Sequence, residues 1–281
     1  MGRYSFSGHE SFFCKPLWLK KGYDALLKGL DFASSEAVAA LGVGKNMVAS
    51  IRYWMKAFGL SDADQPTEIA SIIFDDYSGF DPYVEDTGTL WLLHYRLVKN
   101  SIASIYGLIF LEFQRERKEF DRGQLQSFIK RKCSVPEQKN AYNENTVKKD
   151  IGVFLHNYVT PTDKRSIEDF SAIFLDLGLI RAIDSDRYVF AQIDHDHIPE
   201  EILLFAIMDY LSGDNTLSVD AMQELSLIFG LSLSSMVEII KTIATNSGGA
   251  ISYTDNSGVK NLQFIRQINP MSVLQEYYGR L

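Results

Sequence analysis

Lys45, Asn46, Ala49, Ser50, Tyr53 and Lys56 fall on one stripe of a 3.6-residue helix, with Arg52 at its flank. This mixture of groups suits the recognition helix of a nucleic-acid binder. Ammonium and guanidinium groups neutralise phosphates, while Asn46 and Ser50 can read base edges. A second dense group, SGHESFFCKPLWLKKG, carries His9, Glu10, Cys14, Lys15, Lys20 and Lys21 among Phe12, Phe13 and Trp18. His9, Lys15, Lys20 and Lys21 would meet phosphates there while Trp18 or Phe12 packs or stacks. Two competing readings make Cys14 a nucleophile activated by His9, or make the aromatic residues anchors of an N-terminal arm. A third cationic site, Lys148 and Lys149, lies beside Thr146 and Gly152 on the outward face of a later helix.

Metal and nucleotide chemistry find less support. Asp194-His195-Asp196-His197 places alternate histidines on one side of an extended strand, yet two His without further spaced ligands read as a solvated turn before Pro199. Asp75, Asp76, Asp81, Glu85 and Asp86 resemble the carboxylates that hold magnesium in nucleases, but no lysine follows at the spacing such enzymes use. They read as turns, caps and a solvated face. Gly42-Val43-Gly44 follows a helix and lacks the strand and remaining glycines of a dinucleotide fingerprint, and LGVGKNM lacks Walker spacing. The sequence therefore predicts no cofactor and no metal.

These side chains need a helix-turn-helix to hold them. Val38, Leu41, Val43, Val48, Ile51 and Met55 sit at its core positions, and Gly42 falls at the tight turn. A related pattern starts at Phe120 to Lys132, where Asp121 and Gln124 make a capping-box signature and Leu125, Phe128 and Ile129 share a face. Asn145 then caps a helix carrying Val147, Ile151, Phe154, Leu155 and Tyr158, a helix follows at Ser166 to Leu177, and Asp184-Ser185-Asp186 turns a hairpin. The outline recurs after a helix at Pro199 to Leu211, with helices at Ser218 to Phe229 and Ser232 to Thr245 and a hairpin turning at Asn256-Ser257-Gly258. Between the first two patterns Asp86 or Thr87 caps a helix through Leu90, Leu93, His94 and Leu97, and SIASIYGLIFLEF is apolar on nearly all sides. The expected fold is mainly α with small β-hairpins, as tandem winged helix-turn-helix modules around a central buried helix. Its divisions are an arm and winged-helix module (1–80), a helical connector (81–119), a second module (120–195) and an acidic C-terminal module (196–281).

Net charge is −8, which disfavours phosphate contact, but its distribution is uneven. Residues 1–60 carry 8 Lys and Arg against 4 Asp and Glu, and residues 101–150 carry 10 against 7. Residues 61–100 carry 2 against 8, and residues 151–281 carry 8 against 17. The two basic segments coincide with the first two modules. The acidic last segment, whose second helix offers Lys241 alone as a cation, suits a protein partner. With 46% apolar residues the chain can bury a core, and its longest apolar run, Ile102 to Phe113, is too short to span a bilayer. The N-terminus lacks an apolar leader, and Cys14 and Cys133 form no disulfide framework or zinc motif. A cytoplasmic protein with no membrane segment is expected.

Three patches, FSGHESFFCKPLWLKKGYD, SIRYWMKAFGL and DPYVEDTGTLWLLHYRL, resemble a bacterial family known as domain of unknown function 4007. The resemblance implies a DNA-linked role beside genes for DNA phosphorothioate modification and anti-phage defence, and it brings no catalytic residues with it. Double-stranded DNA is thus the expected partner, contacted by Lys45, Asn46, Ser50, Arg52, Tyr53, Lys56, Lys20, Lys21, His9, Lys148 and Lys149. The alternative is an adaptor that docks a modification enzyme through winged helices. A nuclease or thiol-dependent enzyme is the third reading.

Overall fold

Gly42 takes the left-handed backbone conformation (φ 63°) that a side chain rarely adopts, and this turn joins α2 (Glu36–Leu41) to α3 (Lys45–Ala57). Its amide donates to the Val38 carbonyl, closing α2 before α3 begins. α1 (Pro16–Leu27) starts on a proline and packs across α3. Ile51, Trp54 and Met55 of α3 and Leu19 and Tyr23 of α1 are buried between them. Val38 differs from expectation: α2 is short and its Val38 faces solvent at 37% exposure.

The protein is described here from a computed structural model covering residues 2–161, 171–256 and 259–280. It is mainly helical with small antiparallel sheets. After α3 come a two-stranded hairpin, β1 (Ser61–Asp62) and β2 (Gln65–Pro66), and α4 (Glu68–Phe74). α5 (Thr87–Lys99) is capped by Asp86 and is buried on every side, with Trp91, Leu92, Tyr95 and Val98 joining the expected Leu90, Leu93, His94 and Leu97. The chain restarts as α6 (Ser104–Gly107), continues as a π-helical stretch (Leu108–Phe113) and ends as α7 (Gln114–Glu116). Residues of α5 and this restarted helix make the centre of the first compact unit.

That unit spans Met1–Ala191. In its second half β3 (Glu119–Asp121) leads into α8 (Arg122–Lys132), which has the expected capping box between Asp121 and Gln124. Leu125, Phe128 and Ile129 are buried, so the apolar spacing was a true core signal. α9 (Glu144–Tyr158) begins two residues earlier than expected, because Asn143 supplies the cap to the Thr146 amide. β4 (Ile180–Ala182) and β5 (Arg187–Phe190) flank the Asp184–Asp186 turn, and the sheet order is β3-β5-β4. The helix expected at Ser166 to Leu177 lies partly outside the described residues, and its described end is a single 3-10 turn at Leu175–Leu177.

The second unit, Gln192–Leu281, is built in the same order. α10 (Glu200–Leu211) precedes β6 (Thr216–Leu217), α11 (Val219–Phe229) and α12 (Leu233–Asn246), the last two capped by Ser218 and Ser232. β7 (Ile251–Asn256) and β8 (Val259–Phe264) follow, in sheet order β6-β8-β7, and α13 (Pro270–Tyr278) packs on α10. Ser257 and Gly258, the expected turn residues, lie outside the described residues. No single helix among the described residues is long and apolar enough to cross a membrane.

Candidate nucleic-acid interface

α3 separates its two faces by the helical period. Lys45, Asn46 and Ala49 are exposed, and Arg52, Tyr53 and Lys56 are partly so. With Phe32, Ala33, Ser34, Ser35, Val38 and Val48 these side chains, Asn46 apart, line a cleft of about 810 Å³. Its floor is apolar and its rim carries three cations. Ser50 does not belong to this face: it is fully buried, and its hydroxyl has no hydrogen-bond partner among the described residues. The buried stripe is wider than the sequence implies, since Ser50 sits between Ile51 and the turn of Trp54, and it cannot read a base. Tyr53 is also committed. Its ring lies edge-on to His9 and Trp54, and burial, reinforced by Asp150, pushes its phenol well above the ordinary range.

Arg52 and Lys56 share one acid. The Asp64 carboxylate takes the Arg52 Nε hydrogen at 3.0 Å, meets the guanidinium a second time at Nη2, and lies 3.1 Å from Lys56 Nζ. The Arg52 hydrogen bond, followed by Lys56, holds the Asp64 carboxyl down to about 2. Asp64 comes from the β1–β2 turn, where both Ala63 (φ 45°) and Asp64 (φ 58°) are left-handed. The sequence reading missed this partner, because an acid in a tight turn leaves no periodic signal.

The N-terminal motif turns out to be an arm bound to the second half of the unit. His9 is 3% exposed and lies 2.9 Å from Asp150 of α9. The Ser11 amide donates to Nδ1, so Nε2 carries the hydrogen that Asp150 accepts. Asp150 also accepts the Ser7 amide at 3.0 and 3.1 Å. Farther along, the Cys14 amide donates to Asn157, whose side-chain amide donates to the Tyr106 hydroxyl at 2.7 Å. His9 is therefore a buried anchor and not a phosphate ligand. Cys14 is no nucleophile either: it is wholly buried, and burial pushes its thiol up.

Two further cations are corrected by their partners. Lys20 Nζ lies 2.6 Å from Asp24 and 2.5 Å from Asp76, with its side chain 13% exposed. Lys21 donates to the Leu41 carbonyl at 2.9 Å and so closes the C-terminus of α2. On α9, Lys148 pairs with Glu144 one turn back at 2.7 Å, whereas Lys149 is exposed and, among the described residues, has no ion-pair partner. Lys149, Thr146 and Asp150 line a pocket of about 310 Å³ together with Asn46 of α3 and residues 7–11 of the arm. Asn46 of α3 and Thr146 and Lys149 of α9 thus line one pocket with the arm, whereas Lys45, Arg52, Tyr53 and Lys56 line the other cleft.

The acidic groups behave as turns and caps. Asp75 accepts from the Tyr77 and Ser78 amides, Asp81 from Glu85 and Asp86, and Asp86 caps α5. Asp194, His195 and Asp196 lie close together in a 3-10 turn, where the imidazole sits 3.3 and 3.2 Å from the two carboxylates. A hard cation wants more oxygens than this turn offers. What the sequence did not reveal is that Lys20 of α1 would join Asp76 across 56 positions.

The family model described as Protein of unknown function (DUF4007) matches residues 6–278, and the chain belongs to this family. No curated protein matches it. Two solved structures are similar over 98% of this chain and 88% of theirs, each with a TM-score of 0.82. One is described as an SspB crystal structure, at 27% identity, and the other as a magnesium ion-bound SspB crystal structure, at 26%.

Proposed function

We propose that this member of the DUF4007 family binds duplex DNA through α3 and the start of α9, as an accessory or regulatory protein of a bacterial DNA modification and defence system. The observation that carries the reading is the convergence of Asn46, Thr146 and Lys149 on one pocket, with Lys45, the residue before Asn46, exposed on α3. The order helix, strand, two helices, two strands, with the first strand joined to the last, is read as a winged helix in residues 104–190 and again in 200–264. α3 with its hairpin is read as the first such module. In this reading α3 enters the major groove, Lys45 and Lys149 hold phosphates on either side, and Asn46 reads a base edge.

The test is duplex titration at several salt concentrations with Lys45→Glu combined with Lys149→Glu. Losing two phosphate contacts flattens the slope of log K against log salt by about 2. Unchanged affinity and slope would reject the interface. The same titration on phosphorothioate-modified and unmodified duplex tells whether the modification is sensed. Capture of a modification enzyme without DNA would instead favour the adaptor role, through residues 192–281, which carry 4 Lys and Arg against 11 Asp and Glu.

A second reading, magnesium-dependent strand cleavage, draws on the Asp24–Lys20–Asp76 group and on the likeness to a magnesium-bound SspB. The Lys20 ammonium lies between these two carboxylates, so magnesium would bind there only by displacing it, with water and a phosphoryl oxygen completing its shell. Supercoiled plasmid incubated with magnesium or with chelator separates the readings. Nicking that needs magnesium and is lost in Asp76→Asn would establish cleavage; intact plasmid under both conditions would dismiss it.

A further inference from the structure

Resting on the duplex reading, we infer that Arg52 and Lys56 form a phosphodiester site that the protein's own Asp64 carboxylate fills until DNA displaces it. The geometry is that of anion recognition. A guanidinium presents two parallel donors, Nε and Nη2, to the two oxygens of one carboxylate, and an ammonium joins at 3.1 Å. The same fork takes two oxygens of a phosphate. The side chains of Arg52, Asp64 and Lys56 are 40%, 38% and 35% exposed, so the exchange needs no opening of the core. The cations belong to α3, at the rim of the cleft, whereas the acid sits on a two-residue turn outside it.

The turn itself looks built for this placement. A two-residue hairpin with both central residues left-handed favours Asn-Gly or Asp-Gly, yet here Ala63 and Asp64 occupy those positions. The second position would be relaxed by glycine, and holding an acid there aims a carboxylate at α3. Asp31 acts on Arg52 only as a weaker field, so Asp64 is the group whose removal leaves the fork open.

Asp64→Gly removes the carboxylate and relieves the backbone, so the hairpin is retained; Asp64→Asn removes only the charge. Asp62→Asn is the control, because it makes the same change of net charge on the neighbouring exposed residue. Expected in a duplex titration is a rise of about tenfold in affinity for both Asp64 variants and less than twofold for Asp62→Asn. Arg52→Gln in the same chain should abolish the rise. Equal effects at 62 and 64, or weaker binding by both Asp64 variants, would overturn the inference. A second arm uses the dinucleotide dTpdT, which has one phosphodiester, and follows the Arg52 Nε–H signal by NMR. A shift in Asp64→Gly that is smaller in the parent chain supports the site even if duplex binding fails, in which case the duplex reading alone falls. No shift in Asp64→Gly overturns the site whatever the duplex does.

Discussion

Replacing Asp150 by alanine tests the arm that joins α3 to α9. The carboxylate is 3% exposed and accepts from two donors, the Ser7 N–H shared between its two oxygens and His9 Nε2. Ser7 is exposed, so its amide regains water in the variant and costs little. His9 is not: its Nε2 hydrogen stays buried without an acceptor, at about 1–3 kcal/mol, and the lost bonds to a charged group add about 1.5 kcal/mol more. The expected loss is about 3 kcal/mol, a large part of the ~5–15 kcal/mol that holds a typical domain. Urea unfolding of the parent, Asp150→Ala, His9→Ala and the double variant measures it. Because the residues touch, the double variant should lose less than the two singles combined, by about 1 kcal/mol or more. A loss under 1 kcal/mol for Asp150→Ala, or strict additivity, would refute the anchor. Limited proteolysis supplies a second readout, since a released arm should be cut near residues 7–12 while the rest of the chain stays intact.

Gly8 has φ 101°, and a Cβ there would come within 2.5 Å of the Tyr53 ring, so Gly8→Ala should lose about 2 kcal/mol or more in the same urea experiment, with Gly2→Ala as a neutral control. Cys14, buried and with its thiol pushed up, should stay unreactive to a thiol reagent in native buffer and react at once in denaturant. The Asp64 carboxyl is lowered from 3.8 to about 2, so its ion pair stabilises the fold above the unfolded value and loses that contribution as pH falls from about 4 to about 2. Both partners are more than a third exposed, so solvent screening limits the effect to about 1 kcal/mol or less. The melting temperatures of the parent and Asp64→Asn should therefore differ at pH 6 and converge toward pH 2.5; a constant gap would show that Asp64 is not responsible.

Local signals were legible in the chain to different depths. Caps and periods carry over where they are local: Asp121 with Gln124, Asp86 at α5, and the apolar stripe Val147, Ile151, Phe154, Leu155, Tyr158 all depend on neighbours within one or two turns. Ser50 shows the limit of the period. A stripe drawn at three- and four-residue steps assigns it to the solvent face, but the width of the buried face is set by what packs against it, here α1 and the buried Trp54, and a small residue can lie inside that boundary.

Charge was the least legible property, and for a definite reason. Counting Lys and Arg by segment treats each as free, whereas the fold assigns Asp64 to Arg52 and Lys56, Asp24 and Asp76 to Lys20, and the Leu41 carbonyl to Lys21. Some of those partners lie within a helical turn and others tens of residues away. Lys45 and Lys149 keep exposed ammonium groups without an ion-pair partner among the described residues, and they come from helices separated by most of the first unit. In the proposed interface, the arm joins α9 through His9 and Asp150 and lines a pocket with Asn46 and Lys149. The conspicuous N-terminal motif, dense in residues that look chemical, thus has a structural role, and under the proposed duplex reading its part in DNA contact is indirect. It follows that substitutions in the arm should alter affinity and stability together, whereas Lys45→Glu and Lys149→Glu should alter affinity alone.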